Sequence, residues 1–280
     1  MIGVYDSGFG GLTVLRHLVG ALPGRDFLYL GDNGRAPYGG RDAHTLLDFA
    51  EQCVEHLFEA GCGLVVVACH TVSCVALRHL QRRYGYPGSG RRVLGVTIPA
   101  AEAAVALTRG RIGVLATERT VRSRTFVAEL AKLGHHDTVQ RAAPLLAPLV
   151  EEAWEATELA RGACARYLRD LEGASVIILG CTHYPLLREA LEAGTGAALL
   201  DPGPAVAERL RAWLSRHPDF DAPGEGRLQL HCTGDLAHFT ASAARFYGGP
   251  LPAPRHVVEA GSTLARLVLD GTPEGQVVRG

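Results

Sequence analysis

The chain has 280 residues, 47% of them hydrophobic: enough apolar material for a large core, at a length between one big α/β domain and two smaller ones. With a formal charge of -1 and arginines scattered along its length, it offers no basic field or stripe to a nucleic-acid backbone. No apolar run approaches the roughly eighteen residues that suggest a membrane span, and the opening "MIGVYDSGFGG" has no basic region and meets Asp6 too early for a signal peptide, so a cytoplasmic protein is expected.

In chain order, short apolar runs alternate with helical patterns. Strands are predicted at "IGVYD", "DFLYLGD", "LVVVAC", "RVLGVT", "RIGVLAT", "SVIILGC", "AALLDP" and "LQLHCTG", with helices over segments such as 45–59 and 151–171. Continuous apolar runs suit strands covered on both faces, which gives an α/β fold of parallel sheets with crossover helices. In such sheets functional groups gather beyond the carboxyl ends of the strands, beside helix N-termini. Asp6-Ser7, Asp32, Cys69-His70-Thr71, Thr117 to Thr120 and Cys181-Thr182-His183 each follow an apolar run and are expected to face one cleft.

"LVVVACHT" and "VIILGCTH" share a strand-then-thiol form. This echo predicts two pseudo-symmetric lobes, each a mostly parallel sheet flanked by helices, with the active site between them. Segments 95–104 and 199–210 read as crossings, placing residues 1–97 plus 206–280 in the first lobe and 98–205 in the second. Segment 216–226, rich in Pro, Gly and Asp, is a loop.

The glycines of "DSGFGGLTV" fall at positions 8, 10 and 11, and Thr13 occupies the third position of GxGxxG, so the dinucleotide fingerprint fails. They instead permit a tight turn whose N–H groups can receive a carboxylate; Asp6 is catalytic or a cap, and Ser7 has the same bland alternative. In the bent loop "YLGDNGRAPYGGRD", Asp32 is functional or a turn former. Thr117 and Thr120 flank another strand-to-helix turn, suited to a carboxylate or to N-capping. "PLVEEAW" sets Glu151 and Glu152 at an expected helix start, where the dipole favours acids.

The seven cysteines form no CxxC pair, so free thiols are expected in place of disulfides or a zinc cage. His231, Cys232, Asp235 and His238 match no zinc spacing, and no metal is expected. The sole lysine, Lys132, ends a helical segment, a poor position for a pyridoxal Schiff base. Cys53, Cys62, Cys74 and Cys164 read as small hydrophobes. Cys69 and Cys181 each lead a turn into a helix, where the dipole and free N–H groups can lower a thiol pKa, with Asp6 and His70 near the first and His183 near the second. One Cys with a His suggests acyl transfer, whereas two thiols on opposite walls can take a proton from one face of a carbon and return one to the other, inverting a stereocentre.

The segments "GVYDSGFGGLTV", "YLGDNGRAPYG", "VVACHT", "GVTIPA", "GVLATERT", "PLVEE" and "ILGCTHYPLL" cover nearly the whole chain. In that order they strongly resemble the cofactor-independent glutamate racemases of bacterial cell-wall synthesis. The resemblance implies two α/β lobes around the active site, no cofactor, and Cys69 and Cys181 as the acid/base pair. It makes Asp6 and Glu151 supporting acids, with Asp32 further out, and His183 the partner of Cys181. Substrate contacts carry over to Asp6, Ser7, Tyr38, Gly39, Thr71, Thr117, Thr120, Thr182 and His183. The family usually has asparagine after the first catalytic cysteine and alanine after the threonine; here stand His70 and Val72. His70 puts a larger ring that can carry charge in place of a neutral amide at a substrate-binding position. The implied partner is the small molecule glutamate, with neither nucleic acid nor membrane, and a homodimer is compatible with it. Alternatives are a racemase, isomerase or decarboxylase of another small carboxylate, or a non-catalytic binding relative; retention of both thiols argues for racemisation.

Overall fold

The computed structural model describes residues 1–260 and 266–270. The chain opens with β1 (Ile2–Asp6), α1 (Leu12–Ala21), β2 (Phe27–Gly31), α2 (Ala43–Glu59), β3 (Leu64–Val67), α3 (His70–Val75), α4 (Leu77–Tyr84) and β4 (Arg92–Gly95). Helix α5 (Thr97–Leu107) carries it into a second group. That group is β5 (Ile112–Ala116), α6 (Glu118–Ser123), α7 (Thr125–Lys132), β6 (Thr138–Ala142), α8 (Leu146–Glu151), α9 (Glu158–Leu168), β7 (Val176–Gly180), α10 (Arg188–Glu192) and β8 (Ala198–Leu200). Helix α11 (Pro202–Leu214) returns the chain to β9 (Leu228–Cys232), α12 (Leu236–Tyr247), β10 (Arg255–Ala260) and β11 (Arg266–Leu269).

Two sheets result, one ordered β11-β10-β9-β2-β1-β3-β4 and the other β6-β5-β7-β8. Every pairing is parallel except that of β10 with β11. Strands β1, β3, β5 and β7 are buried along their whole length, as expected for apolar runs with helices on both faces. The stretch β2-β1-β3-β4 repeats the order β6-β5-β7-β8, so Cys69 and Cys181 leave topologically equivalent strands. Both follow the strand beside the point where the order reverses, where open α/β sheets place their ligands.

The sequence pattern misses β6, β10 and β11. Strand β6 is a half-buried edge strand, "TVQRA", whose polar residues break the apolar run used to recognise the others. The helix expected over 151–171 is also corrected. Helix α8 ends at Glu151, and Ala153 takes a left-handed φ of 57°. The Ala153 N–H then returns to Val150 O at 3.0 Å and the Trp154 N–H to Leu149 O at 2.8 Å, a Schellman closure. The chain becomes helical again only at α9, capped by Thr157. Glu151 therefore sits at a helix C-terminus, where the dipole disfavours an acid, and not at the expected N-terminus.

The largest apolar cluster joins the sheets: Val4, Tyr29, Leu64 and Val66 share it with Ile177, Leu179 and the α11 residues Val206 and Leu210. Helix α1 packs on α11, so the returning segment is cemented to the first sheet's own helix. No helix among the described residues is long and apolar enough to cross a membrane.

A buried pair of histidines fastens the outer strands. Leu267 O can only accept, so His56 Nδ1–H donates to it at 3.1 Å, leaving His56 Nε2 to accept from His231 Nδ1–H at 2.9 Å. Accepting at Nε2 requires His56 to be neutral, and burial, with no partner for His231 Nε2, keeps the second ring neutral as well. Burial, with smaller contributions from the charges of His56 and Arg255, pushes His231 from 6.5 down to about 3. The unfolded chain binds a proton here below about pH 6.5 that the folded chain refuses, so folded stability falls as pH drops, by about 2 kcal/mol for this one group at pH 5. His231→Asn is expected to lose about 2 kcal/mol less than the parent between pH 7 and pH 5 in urea unfolding; equal losses would contradict the neutral pair.

Candidate active site

One cavity collects the turns that follow the central strands. The seven-stranded side contributes Ser7, Gly8, Tyr38, Gly39, Cys69, His70 and Thr71, and the four-stranded side Thr117, Glu151, Cys181, Thr182 and His183. Three expected residues are not on its wall: Asp6, Asp32 and Thr120 are fully buried and lie off it. Pro144, Ala147 and Pro148 line it unforeseen, since small apolar residues carry no chemical signature.

The two sides meet around Asp6. Its Oδ2 accepts the Gly8 N–H at 3.0 Å and its Oδ1 the Thr182 hydroxyl at 3.4 Å, from the opposite side. The Thr13 hydroxyl lies 2.9 Å from Thr182 O and 2.8 Å from Gly10 O, tying the same two turns. Asp6 thus caps its own turn and makes no side-chain cap on α1. Burial raises its pKa, with the positive charge of His183 and the Gly11 and Gly8 amides opposing. A Cβ on Gly10 would run into the Thr182 hydroxyl and stand 2.6 Å from His183 Nδ1. Close approach of two polar turns explains this glycine without any dinucleotide.

Cys69 is the N-cap of α3, with Sγ 3.6 Å from the Ser7 hydroxyl. The expected lowering of its pKa is reversed. Burial first, and then the charge of Asp6, push the thiol up to about 12, and a six-residue helix supplies too little dipole to compensate. On the other wall Cys181 Sγ lies 3.8 Å from His183 Nδ1, and His183 Nε2 lies 3.0 Å from Glu151 Oε1. Burial is the largest influence on His183 and pulls it down, but its bonds to Cys181 and Glu151, with their charges, together raise it to about 10. At neutral pH His183 is an imidazolium, able to stabilise a thiolate on Cys181 or to return its proton. One thiol stands beside a carboxylate, the other beside a cation.

The remaining groups shape the walls. His70 stacks on Phe126 at 5.8 Å and 29°; burial pushes it down to about 4 against the weaker pull of Asp201, and its Nδ1 has no partner. The Thr71 and Thr117 hydroxyls are 2.9 Å apart, and Thr117 also caps α6 through the Thr120 N–H at 3.3 Å, so capping accounts for part of the threonine pattern. Asp32 is fully buried and off the cavity. It accepts from Arg35 Nε at 2.8 Å, from the Thr233 hydroxyl at 2.7 Å and from the Tyr38 hydroxyl in a short bond, while the Tyr5 hydroxyl supports Tyr38 at 3.1 Å. Asp32 thus acts as the turn former, holding the bend that carries Tyr38 and Gly39, and its expected place on the cleft is not observed. His231, Cys232, Asp235 and His238 have separate jobs, in the histidine pair, a bond to Gly234 O, the α12 cap and an edge contact with Phe9. Among the described residues no group of three or more metal-ligating side chains is assembled.

The sequence profile of the Asp/Glu/Hydantoin racemase family matches residues 17–210. The chain belongs to this family. It is 37% identical over 260 residues to a glutamate racemase of Geobacter metallireducens, covering 89% of this chain and 93% of that relative. Among solved structures, a glutamate racemase of Thermus thermophilus in complex with β-chloro-D-alanine superposes with a TM-score of 0.81 at 36% identity, over 92% of this chain and 96% of that one. A glutamate racemase of Francisella tularensis in complex with D-glutamate gives a TM-score of 0.83 at 25% identity, over 91% and 96% of the two chains. The paired parallel sheets of this family member therefore follow the architecture of those enzymes.

Gly10→Ala is expected to lower stability by about 1–3 kcal/mol through overpacking between the two sides. Gly8→Ala, with nothing within 4 Å of its added carbon, should stay within about 0.5 kcal/mol of the parent. Urea unfolding of the two variants checks this; equal stability would remove the close-approach account of Gly10.

Proposed function

We propose that this protein interconverts L- and D-glutamate by passing the α-proton between Cys69 and Cys181, without a cofactor. The observation that carries the reading is a pair of buried thiols lining one cavity, each beside its own ionisable group. Glutamate as the substrate is supported by the relatives, which are glutamate racemases, one of them holding D-glutamate. On this reading residues 1–97 with 206–280 form one lobe, of which 261–265 and 271–280 lie outside the described residues, residues 98–205 form the other, and the substrate lies between them.

The chemistry balances with protons alone. One thiolate breaks the Cα–H bond and becomes a thiol, and the opposite thiol delivers a proton to the other face and becomes a thiolate. Proton exchange with the supporting groups then resets the pair. An empty cavity holds Cys69 protonated, and the ammonium of an entering amino acid favours the thiolate against burial and Asp6. His183, oriented by Glu151, replaces the proton that Cys181 gives up. Ser7, Thr71, Thr117 and Thr182, with the amides of their turns and with Tyr38 and Gly39, position the carboxylates; Thr120 supports Thr117 from behind. The α-carbanion is poorly stabilised, so a dry, closed cavity matters as much as the bases. D-glutamate made this way in the cytoplasm would supply peptidoglycan synthesis.

Incubation with L-glutamate in D2O is expected to give α-deuterium by NMR together with loss of optical rotation. A folded protein that neither exchanges nor inverts either enantiomer would refute the glutamate reading. Cys69→Ser and Cys181→Ser should each reduce racemisation by about 100-fold or more, and full activity in either would remove the two-thiol mechanism.

His70 contributes to the same proposal. A neutral, buried ring with a partnerless nitrogen gains from protonation when a carboxylate arrives, so binding takes up a proton between the empty-site value of about 4 and the higher value of the complex. KM for glutamate should then rise with pH in the parent, by up to about tenfold per pH unit, and stay flat in His70→Asn. Parallel profiles would remove His70 from substrate contact.

A further inference from the structure

Helix α12 supports the Glu151–His183–Cys181 chain from outside the cavity. Arg245, in the last turn of α12, reaches across to the end of α8. Its Nη1 donates to Glu155 Oε1 at 2.7 Å; its Nη2 donates to Val150 O at 2.6 Å and, more weakly, to Glu151 O at 3.4 Å. The next residue, Phe246, is fully buried and its ring forms a T-shaped contact with that of His183 at 5.3 Å and 80°. One dipeptide therefore meets both the residue that carries the anchoring carboxylate and the imidazole it anchors.

The end of α8 needs such a brace. Its Schellman closure rests on Ala153 at φ 57°, a conformation that costs a residue with a Cβ about 1–2 kcal/mol. The helix has six residues and ends on an acid that its own dipole repels. A guanidinium bonding to the terminal carbonyls offsets both liabilities, since it satisfies helix-end acceptors and places positive charge at the negative pole. Glu151 itself is partly exposed, and among the described residues His183 is the side chain bonded to its carboxylate.

We infer that Arg245 is a positioning residue for proton handling at Cys181: it fixes the end of α8 so that the Glu151 carboxylate stays on His183. The inference rests on the racemase reading for its kinetic consequence but not for its structural one. Because α12 follows a strand of the seven-stranded sheet and α8 a strand of the four-stranded sheet, the brace exists only while the two sides are together.

The sign of the electrostatics separates this role from a direct one. The ionisable groups against His183 are Cys181, Glu151 and Asp6. Removing a nearby cation would by itself make His183 easier to protonate, whereas loss of the Glu151 contact makes it harder. In Arg245→Met the proton affinity of His183, followed by imidazole 15N NMR in the unliganded protein and assigned with His183→Asn, is expected to fall about tenfold from the parent, with Arg245→Lys in between. With glutamate, kcat should fall about 10- to 100-fold while KM stays within about twofold. The primary α-deuterium isotope effects on kcat/KM for the two enantiomers should become unequal, because only one enantiomer loses its proton to Cys181.

An unchanged or increased His183 proton affinity in Arg245→Met overturns the inference, whatever happens to glutamate. So does a fall in kcat with equal isotope effects. If the parent's His183 titrates near 10 and responds to Arg245→Met, but neither enantiomer of glutamate reacts, the substrate reading fails and the positioning role stands. Should Arg245→Met not fold, Glu155→Gln removes the ion pair that seats the guanidinium, and the same NMR comparison decides with a smaller shift in the same direction.

Discussion

A carboxylate removed from water must be satisfied by protein, and Asp6 is satisfied from both sides of the cleft at once. Its own turn supplies the Gly8 amide and the opposite turn supplies the Thr182 hydroxyl. To bring those groups within reach, the turns must touch, which is why Gly10 has no room for a side chain and why Thr13 ties the same turns a second time. Much else follows from that contact. It brings the ends of β1 and β7 together, holds His183 where its positive charge reaches Asp6, and raises the free energy of a Cys69 thiolate through the charge on Asp6.

The repeated strand order gives the two thiols equivalent places, but their surroundings differ. Cys69 has a carboxylate and a serine nearby; Cys181 has an imidazolium backed by a second carboxylate. Equal positions with unequal electrostatics suit a reaction in which the two walls exchange roles. In the proposed racemisation each thiol accepts a proton in one direction and gives one in the other, and each wall would meet that demand with a different partner.

The strands, the crossings and the clustering at strand ends were legible because buried parallel strands leave unbroken apolar runs and the polar residues after them stand out. Cys69, Cys181, His183 and the Asp6 turn declared themselves in that way. Other features depended on information no local window contains. Helix α8 stops at Glu151 through a left-handed alanine, where a glycine would have been the visible signal. Strand β6 is polar because it is an edge. Arg245 bonds to a helix more than ninety positions earlier in the chain, and nothing in "AARFYGG" announces it. At α3 the helix end alone points to a lowered thiol pKa, and the burial and neighbouring charge that outweigh it leave no mark in the local sequence.

The bend that carries Tyr38 and Gly39 is bolted down by a buried carboxylate, a guanidinium and two phenols, with Thr233 from a distant turn closing the set. Such a segment cannot swing as a flap without abandoning an ion pair in a place water does not reach. A ligand therefore enters a vessel whose one side is fixed masonry. Room for a ligand to come and go has to be found on the other walls, where the turns around Thr117 and Pro144 complete the cavity.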